Sequence, residues 1–155
     1  VCGVPPEETV AEREGRIRNC SCDVALNAAN VDQHILCRRE LPWADAAAFC
    51  EALGMQLWVV DDAEEWQSVT GSLLLQGGGR EIWWVGLSDR QVEGRFQWVD
   101  GRLAGVGYVA WREGEPNDWL DGEDCVEVNL AADWLFNDAR CAQGYGFVCE
   151  ALSAP

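Results

Sequence analysis

The sequence predicts one α+β domain in which two helices are followed by short strands and a long acidic loop. Two early segments repeat apolar residues at helical spacing between typical helix ends, whereas the later apolar runs are short and bounded by turn residues. The segment Ser88–Asp124 has little regular signal apart from Phe96–Val99, and a loop of this length in a compact domain usually has a function. A chain of 155 residues fits one domain around one core.

The N-terminal part of the chain differs in character from the rest. Residues 1–32 are polar, contain three early cysteines and show little periodicity. We interpret them as an N-terminal extension whose order depends on disulfide bonds, and residues 33–155 as the folded domain. The short apolar run Gln33–Arg38 predicts the first strand of that domain.

Both helices are predicted from their ends and from one apolar face each. The first begins near Pro42, which suits a first helical turn, and ends at Gly54. Its apolar face is formed by Ala46, Phe49, Cys50 and Leu53. The second follows Asp62, which forms a capping pair with Glu65, and ends at the glycines of positions 77–79. Its apolar face is formed by Trp66, Val69 and Leu73.

Five further apolar runs have the length and the residue types of strands. Their predicted ranges are Leu57–Val60, Ile82–Leu87, Cys125–Leu130, Trp134–Phe136 and Tyr145–Glu150. They complete an α+β arrangement without an internal repeat.

The charge of the chain excludes several classes of partner. It has 27 acidic and 11 basic residues, a net charge of −16 and no lysine, so its field repels nucleic acid and anionic membrane surfaces. Nine tryptophans and 48% apolar residues exclude a disordered acidic chain. No apolar run reaches the length of a membrane span, so we expect no membrane insertion. We find no signal sequence, so an exported protein would be present in its mature form.

Eight cysteines without zinc-type spacing predict four disulfide bonds and an oxidising compartment, in a secreted protein or at the cell surface. They are Cys2, Cys20, Cys22, Cys37, Cys50, Cys125, Cys141 and Cys149. A catalytic cysteine would need a base, but the single histidine, His34, lies in an apolar stretch where we expect a structural role.

The acidic run Glu115–Cys125 is the strongest functional signal in the chain. Its carboxylates and one amide belong to Glu115, Asn117, Asp118, Asp121, Glu123 and Asp124. Pro116 and Gly122 disfavour a helix here, and a strand would not tolerate such crowding of charge. Oxygen ligands without histidine or thiolate suit Ca²⁺ better than zinc or copper. The alternative for an isolated run of this kind is a solvated acidic turn.

The segment Gln33–Ala151 resembles the C-type lectin-like domain. Two motifs carry the resemblance, the first-helix pattern Trp43-x-x-Ala46-x-x-x-Cys50-x-x-x-Gly54-x-x-Leu57 and the core strand motif Trp84-Val85-Gly86-Leu87. The resemblance implies a fold with two helices, small antiparallel sheets and a long calcium-binding loop. It also implies the bridges Cys50–Cys149 and Cys125–Cys141. Of the three connectivities open to the other four cysteines, we favour Cys22–Cys37, the N-terminal hairpin bridge of longer members, with Cys2–Cys20.

The resemblance further implies two calcium sites. The ligands of the principal site would be Glu115, Asn117, Glu123, Asn137 and Asp138, with a cis peptide bond before Pro116. The ligands of the auxiliary site would be Asp89, Glu93, Asp118, Asp124 and the backbone carbonyl of Glu123. For Asp89 and Glu93 alone, the alternative is a solvated turn. Phe136 replaces the tryptophan that the family usually has, and we expect it in the core.

In such lectins, two adjacent sugar hydroxyls complete the shell of the principal calcium ion, so its five ligands also bind sugar. The Glu-Pro-Asn motif resembles the mannose class, which accepts mannose, fucose, glucose and N-acetylglucosamine. Trp119 is a further candidate sugar contact, because an aromatic residue after this tetrapeptide is similar to the galactose class; its alternative is a packed loop anchor. A single sugar would bind weakly, so we expect avidity for glycans through multivalency.

Two other functions compete with sugar binding. Paired carboxylates serve glycosidases, but the matched carboxylates here are assigned to metal, and no nucleophile–histidine set is evident. We therefore expect no enzyme. The stronger alternative is a lectin-like domain that binds a protein or another non-sugar ligand and uses calcium only for structure.

Overall fold

The computed structural model describes residues 20–25 and 34–152, together with positions 9, 11, 12 and 15. The strands are β1 (Cys22–Val24), β2 (His34–Leu41), β3 (Met55–Leu57), β4 (Ile82–Ser88), β5 (Gln97–Trp98), β6 (Cys125–Asn129), β7 (Leu135–Ala139) and β8 (Tyr145–Ala151). The helices are α1 (Trp43–Ala52) and α2 (Ala63–Gln76), with a short 3-10 turn at Leu130–Ala132. The predicted boundary between residues 32 and 33 lies outside the described residues.

In the described part of the chain, the eight strands form one sheet in the order β1-β2-β8-β4-β6-β7, with β3 paired to β8 and β5 to β4. The pair β4–β8 is parallel and the others are antiparallel. Successive residues of a strand point to opposite faces, and Trp83 and Trp84 of β4 accordingly enter two different core clusters. The predicted α+β class is confirmed, and β4 is its central strand.

A glycine in β4 allows the chain to pass closely over this strand. A Cβ atom on Gly86 would lie 2.8 Å from the carbonyl oxygen of Leu57 and 3.0 Å from that of Trp58. The Gly86 N–H donates to the Trp58 carbonyl at 2.7 Å. The Trp-Val-Gly-Leu motif therefore needs a glycine at this position, because the neighbouring backbone leaves no room for a side chain.

The predicted helix ends are confirmed. Pro42 caps α1, and Gly54 follows its end with a φ of 70°. Asp62 caps α2 by accepting from the Glu65 N–H at 2.8 Å. The Glu65 side chain returns to the N–H of Asp61 at 2.7 Å, one residue before the partner that a capping box uses.

Two strand predictions were wrong in their bounds. The run Leu57–Val60 is buried, but its ladder ends at Leu57. Beyond it, the Trp58 N–H donates to Val148, and the Val60 carbonyl accepts from Tyr108, so successive residues bond to different neighbours and no single strand pairs with them. The run Trp134–Phe136 is shifted: Trp134 has a φ of 61° and precedes β7.

Three predicted disulfide bonds are confirmed, Cys22–Cys37, Cys50–Cys149 and Cys125–Cys141. The second joins α1 to β8, and the third joins the start of β6 to the residues after β7. The predicted Cys2–Cys20 bridge lies outside the described residues, because Cys2 does.

The base of the long loop is held by the start of β7. Phe136 is fully buried, as predicted, and its ring contacts those of Trp98 and Trp111. Its N–H donates to the Ala110 carbonyl at 2.8 Å, and its carbonyl accepts from the Arg112 N–H at 2.9 Å. The chain is thus fixed immediately before the acidic run and immediately before the Asn-Asp pair of β7.

Candidate metal centre

Asp138 of β7 connects the acidic loop to the sheet. Its side chain is fully buried and accepts from the backbone N–H groups of Asn117, at 3.1 Å, and Asp118, at 2.7 Å. The peptide bond between Glu115 and Pro116 is cis, as predicted. The Glu-Pro-Asn segment therefore lies against the end of β7, where Asn137 is the neighbouring residue.

The loop is closed by its own acidic side chains. Asp118 Oδ1 accepts from the Glu123 N–H at 3.0 Å, and Glu123 Oε2 accepts from the Trp119 N–H at 3.3 Å. Asp118, Leu120 and Asp121 all have φ values between 44° and 58°, which is uncommon for residues other than glycine. These contacts hold an unfavourable backbone path, and such local strain is concentrated at functional sites.

The carboxylates of Glu115, Glu123 and Asp138, which form a first cluster, crowd one another. Burial, together with a hydrogen bond to Asp138 and its charge, raises the pKa of Glu115. Burial and the charge of Asp138 also raise the pKa of Glu123. Glu115 Oε2 is buried and has no hydrogen-bond partner among the described residues. The charges of Arg112 and Arg140 lower the pKa of Glu115 and of Glu123, respectively, but burial and the neighbouring carboxylate outweigh them.

A second cluster lies where β4 ends. One carboxylate oxygen from each of Asp89, Glu93 and Asp124 lies within 4.8 Å of the others. Asp89 is held by its N–H, which donates to the Asp124 carbonyl at 3.0 Å, and by Oδ2, which accepts from the Gly94 N–H at 2.8 Å. Its other oxygen, Oδ1, is buried and unpartnered within the described residues.

Electrostatic repulsion is evident in this cluster as well. Burial raises the pKa of Asp89, and the charge of Asp124 adds to this effect. Desolvation and the charges of Asp89, Asp118 and Asp124 raise the pKa of Glu93 to about 6. The charge of Asp118 also raises the pKa of Glu123 in the first cluster. Asp118 thus acts electrostatically on both clusters.

The donor atoms of both clusters fit calcium. They are carboxylate, amide and carbonyl oxygens, the ligand types that Ca²⁺ takes in sets of about 6–8. Each cluster contains one buried oxygen without a hydrogen-bond partner in the part of the chain that the structure describes, on Glu115 and on Asp89. A divalent cation would satisfy both oxygens and relieve the repulsion that raises the pKa values.

Trp119 does not anchor the loop. Its side chain is 60% exposed, and the adjacent Leu120 is 66% exposed. The Arg140 guanidinium lies 6.0 Å from the centre of the indole. The packed-anchor alternative is therefore wrong, and an aromatic face is accessible beside the first cluster.

Glu127 is a residue of this region that the sequence analysis missed. It is 3% exposed, lies on β6 directly opposite Asn137 of β7, and accepts from Asn137 Nδ2 at 3.1 Å. Burial raises the pKa of Glu127 to about 7, although the Asn137 hydrogen bond and Arg112 oppose that rise. The available signal was a single acidic residue inside an apolar strand.

The structural role predicted for His34 is confirmed. Its Nε2 lies 2.9 Å from Glu65 Oε1 and 3.7 Å from Glu150 Oε2. Burial lowers the pKa of His34, but the hydrogen bonds and charges of Glu150 and Glu65 outweigh that effect and raise it to about 9. The imidazolium therefore joins β2, α2 and β8 at neutral pH.

Comparison with known proteins identifies related sequences. The family model described as Lectin C-type domain matches residues 39–151. C-type lectin domain family 10 member A from Homo sapiens is 35% identical over 116 residues, covering 72% of this chain and 34% of that protein. Asialoglycoprotein receptor 1 from Rattus norvegicus is 30% identical over 154 residues, covering 86% and 51%. Low affinity immunoglobulin epsilon Fc receptor from Mus musculus is 36% identical over 112 residues, covering 72% and 31%.

Solved structures agree with these sequence matches. The mouse scavenger receptor C-type lectin carbohydrate-recognition domain superimposes with a TM-score of 0.66 at 29% identity, covering 79% of this chain and 93% of that one. The cow CD23 carbohydrate-recognition domain, determined in the presence of GlcNAc2Man3 oligosaccharide, has a TM-score of 0.66 at 28% identity, covering 83% and 99%. Human lithostathine, with a TM-score of 0.71 at 22% identity over 96% of this chain and 99% of that one, shares the fold.

The chain spans about a third to a half of the length of the curated relatives named above. Within the described residues, no helix has the length and apolar character needed to cross a membrane.

Proposed function

This chain belongs to the C-type lectin domain family, and we propose that it binds glycans through calcium held between the acidic loop and the end of β7. Members of the family are binding proteins and not enzymes. One observation carries the proposal: Glu115, Glu123 and Asp138 crowd together, and a buried Glu115 oxygen has no partner among the described residues. A bound divalent cation would complete this arrangement.

The principal site, in this proposal, uses the oxygens of Glu115, Asn117, Glu123, Asn137 and Asp138. The auxiliary site uses Asp89, Glu93, Asp118, Asp124 and the Glu123 carbonyl. Calcium bound at the principal site would coordinate two adjacent sugar hydroxyls and thereby fill its shell of about 6–8 oxygens. Asp138 supports the principal site from the sheet side, since it also holds the backbone of Asn117 and Asp118.

The protein's own groups would orient the sugar by hydrogen-bond direction. A carboxylate such as Glu115 or Glu123 accepts only, whereas the amide nitrogen of Asn117 or Asn137 donates. A hydroxyl between one group of each kind must donate on one side and accept on the other. We propose that this pattern selects vicinal equatorial hydroxyls, as in mannose, fucose and N-acetylglucosamine.

We also propose Trp119 as an additional sugar contact. Its exposed indole lies in the loop, immediately after the Glu-Pro-Asn-Asp tetrapeptide. The apolar face of a pyranose ring would pack on it, and the nearby Arg140 limits the orientation of the indole. This contact favours sugars with one continuous apolar face, so it works against a strict mannose preference.

A second candidate function is recognition of a protein ligand. It is favoured by the similarity to the low affinity immunoglobulin epsilon Fc receptor, whose name describes a receptor for an antibody region. The exposed Trp119 and Leu120 would serve such an interface too. In this alternative, calcium would fix the loop without touching the ligand.

A glycan array read in calcium and in EDTA distinguishes the two functions. Sugar binding predicts retention of mannose-type glycans in calcium, complete loss in EDTA, and loss in calcium for Asn137→Ala. An array without calcium-dependent signal at multivalent display would contradict the proposal. Gln67→Ala, an exposed position on α2, is the control variant and should behave as the wild type.

We further propose that the protein acts in an oxidising compartment, as a secreted or cell-surface protein, because three disulfide bonds join its elements. Since a single calcium-bridged sugar is held by few contacts, biological avidity would come from several domains that bind one glycan surface.

A further inference from the structure

We propose that Glu127 is a positioning residue, which holds the Asn137 amide so that its carbonyl oxygen is available to calcium and its nitrogen is not. The inference rests on the proposed function of the principal site. It concerns a residue that contributes no atom to the predicted coordination shell.

The sheet fixes where Glu127 lies. Its strand, β6, is bordered by β4 and β7, and in register Glu127 is opposite Trp84 on one side and Asn137 on the other. Directly opposite residues of antiparallel strands project to the same face and lie close enough for their side chains to interact. The carboxylate is 3% exposed, so it has little freedom to move away from Asn137.

The hydrogen bond fixes the orientation of the amide. An asparagine side chain has a donor nitrogen and an acceptor oxygen at its two ends, and rotation about its last bond exchanges them. Asn137 Nδ2 donates to Glu127 Oε1 at 3.1 Å. The opposite orientation would place the amide oxygen against Glu127 Oε1 and lose this hydrogen bond. Glu127 therefore selects the orientation in which the Asn137 oxygen faces away from β6.

In this orientation, the Asn137 oxygen and one hydrogen of its amide nitrogen remain available to the site. The oxygen remains free of Glu127 and able to coordinate a cation. The nitrogen has two hydrogens, and Glu127 uses one, so the other remains for a sugar hydroxyl. The Asn137 amide is therefore already oriented before calcium binds.

Three variants test the role. Glu127→Met removes the acceptor with little change in length, Glu127→Gln retains an acceptor without the charge, and Glu81→Met removes one exposed carboxylate from the residue preceding β4. Calcium affinity is measured by isothermal titration calorimetry, with Asn137→Ala identifying the principal site. The melting temperature is measured in EDTA.

We expect Glu127→Met to weaken calcium binding at the principal site by about 10- to 100-fold, the usual effect of losing an outer-shell partner. Its melting temperature in EDTA should be unchanged or higher, because removing a buried carboxylate among like charges relieves repulsion. Glu127→Gln should recover most of the affinity, since calcium favours the amide orientation in which the glutamine oxygen accepts. Glu81→Met should match the wild type.

Several outcomes would overturn the inference. Wild-type affinity in Glu127→Met would show that the hydrogen bond does not position Asn137. A lower melting temperature in EDTA, with equal losses in both Glu127 variants, would show that the residue stabilises the sheet or acts by charge. If the wild type itself bound no calcium, the proposed function would fail together with the inference, whereas the first two results leave the proposed function intact.

Discussion

Calcium should raise the thermal stability of this domain, and acid should change that stability in opposite directions with and without calcium. The experiment compares melting temperatures in millimolar Ca²⁺ and in EDTA, each between pH 7.5 and pH 5. Calcium stabilises by mass action, because a ligand that binds only the native state shifts the folding equilibrium towards it. The size of the shift follows from the number of sites and from the ratio of free calcium to the dissociation constant.

Each site should contribute a measurable shift. At a free calcium concentration of about 100 times the dissociation constant, one site adds about 2.7 kcal/mol to the free energy of unfolding. For a domain of about 150 residues, 1 kcal/mol raises the melting temperature by roughly 2–4 °C. One site then corresponds to roughly 5–11 °C, and two independent sites to about twice that.

In EDTA, acid should stabilise the protein. The carboxyl pKa values of Asp89, Glu93, Glu115 and Glu123 are raised in the folded state by burial and by neighbouring carboxylates. A raised pKa means that the folded state retains protons which the unfolded state has released, so stability rises as pH falls. For Glu93 this window runs from about 6 down to its ordinary value of 4.5.

In calcium, acid should have the opposite effect. The ligands must be deprotonated to bind metal, so protons compete with calcium and the stabilisation decreases as pH falls. The two melting curves should therefore converge between pH 7 and pH 5, one rising and the other falling. His34 contributes equally to both, because its contacts lie among Glu65 and Glu150, not among the predicted ligands.

The measurement uses tryptophan fluorescence, and Mg²⁺ at the same concentration controls for ionic strength. Equal midpoints in calcium and EDTA at pH 7.5 would refute the two-site reasoning. A calcium-dependent difference that increases on acidification would refute the assignment of carboxylates as the ligands.

Three other variants test different parts of the structure. Asn137→Ala should abolish retention on sugar-coated beads, whereas Asp89→Ala should only weaken it by loosening the loop; equal and complete loss would mean that the sites are assigned in the wrong order. The double change Glu115→Gln with Asn117→Asp exchanges the hydrogen-bond donor and acceptor at almost constant size and charge. The variant should therefore elute from the beads with galactose more readily than the wild type does. A wild type that already elutes better with galactose than with mannose would refute the mannose assignment. His34→Gln should lower the melting temperature at neutral pH, and the wild type should lose the same stabilisation as pH rises through about 9. A wild-type melting temperature that does not change up to pH 10 would contradict the ion pair.

The features that sequence predicts well are those encoded over a few residues. The Asp62 cap is a local interaction between neighbouring backbone and side-chain groups, and the structure has it. The motif identifies Gly86 through its resemblance to the family, but the close approach to Leu57 and Trp58 that requires a glycine is seen only in the structure. The cis bond before Pro116 is likewise expected from the resemblance, and the structure has it. The cap, by contrast, needs no knowledge of what packs against the segment.

The features that sequence misses depend on which elements become neighbours. Trp58–Val60 have strand composition, but their backbone groups bond to separate partners, so the ladder does not continue. The pairing of Glu127 with Asn137 arises from the register of β6 and β7, which no local pattern reports. The exposure of Trp119 likewise depends on the path of a loop whose residues adopt uncommon backbone angles.

Three clusters of acidic side chains in the described structure differ in how their charge is balanced. Around His34, the imidazolium supplies the positive charge, and the oxygens of Glu65 and Glu150 all have partners in hydrogen bonds or ion pairs. Among the described residues, the carboxylates of Asp89 and Glu115 form no ion pair with a histidine or an arginine, and each has a buried oxygen without a hydrogen-bond partner. An unpaired buried charge is strongly unfavourable, and a cation bound beside these oxygens would relieve that cost. The contrast within one molecule therefore supports the proposal that calcium binds at the two loop clusters, whereas the imidazolium already balances the carboxylates around His34.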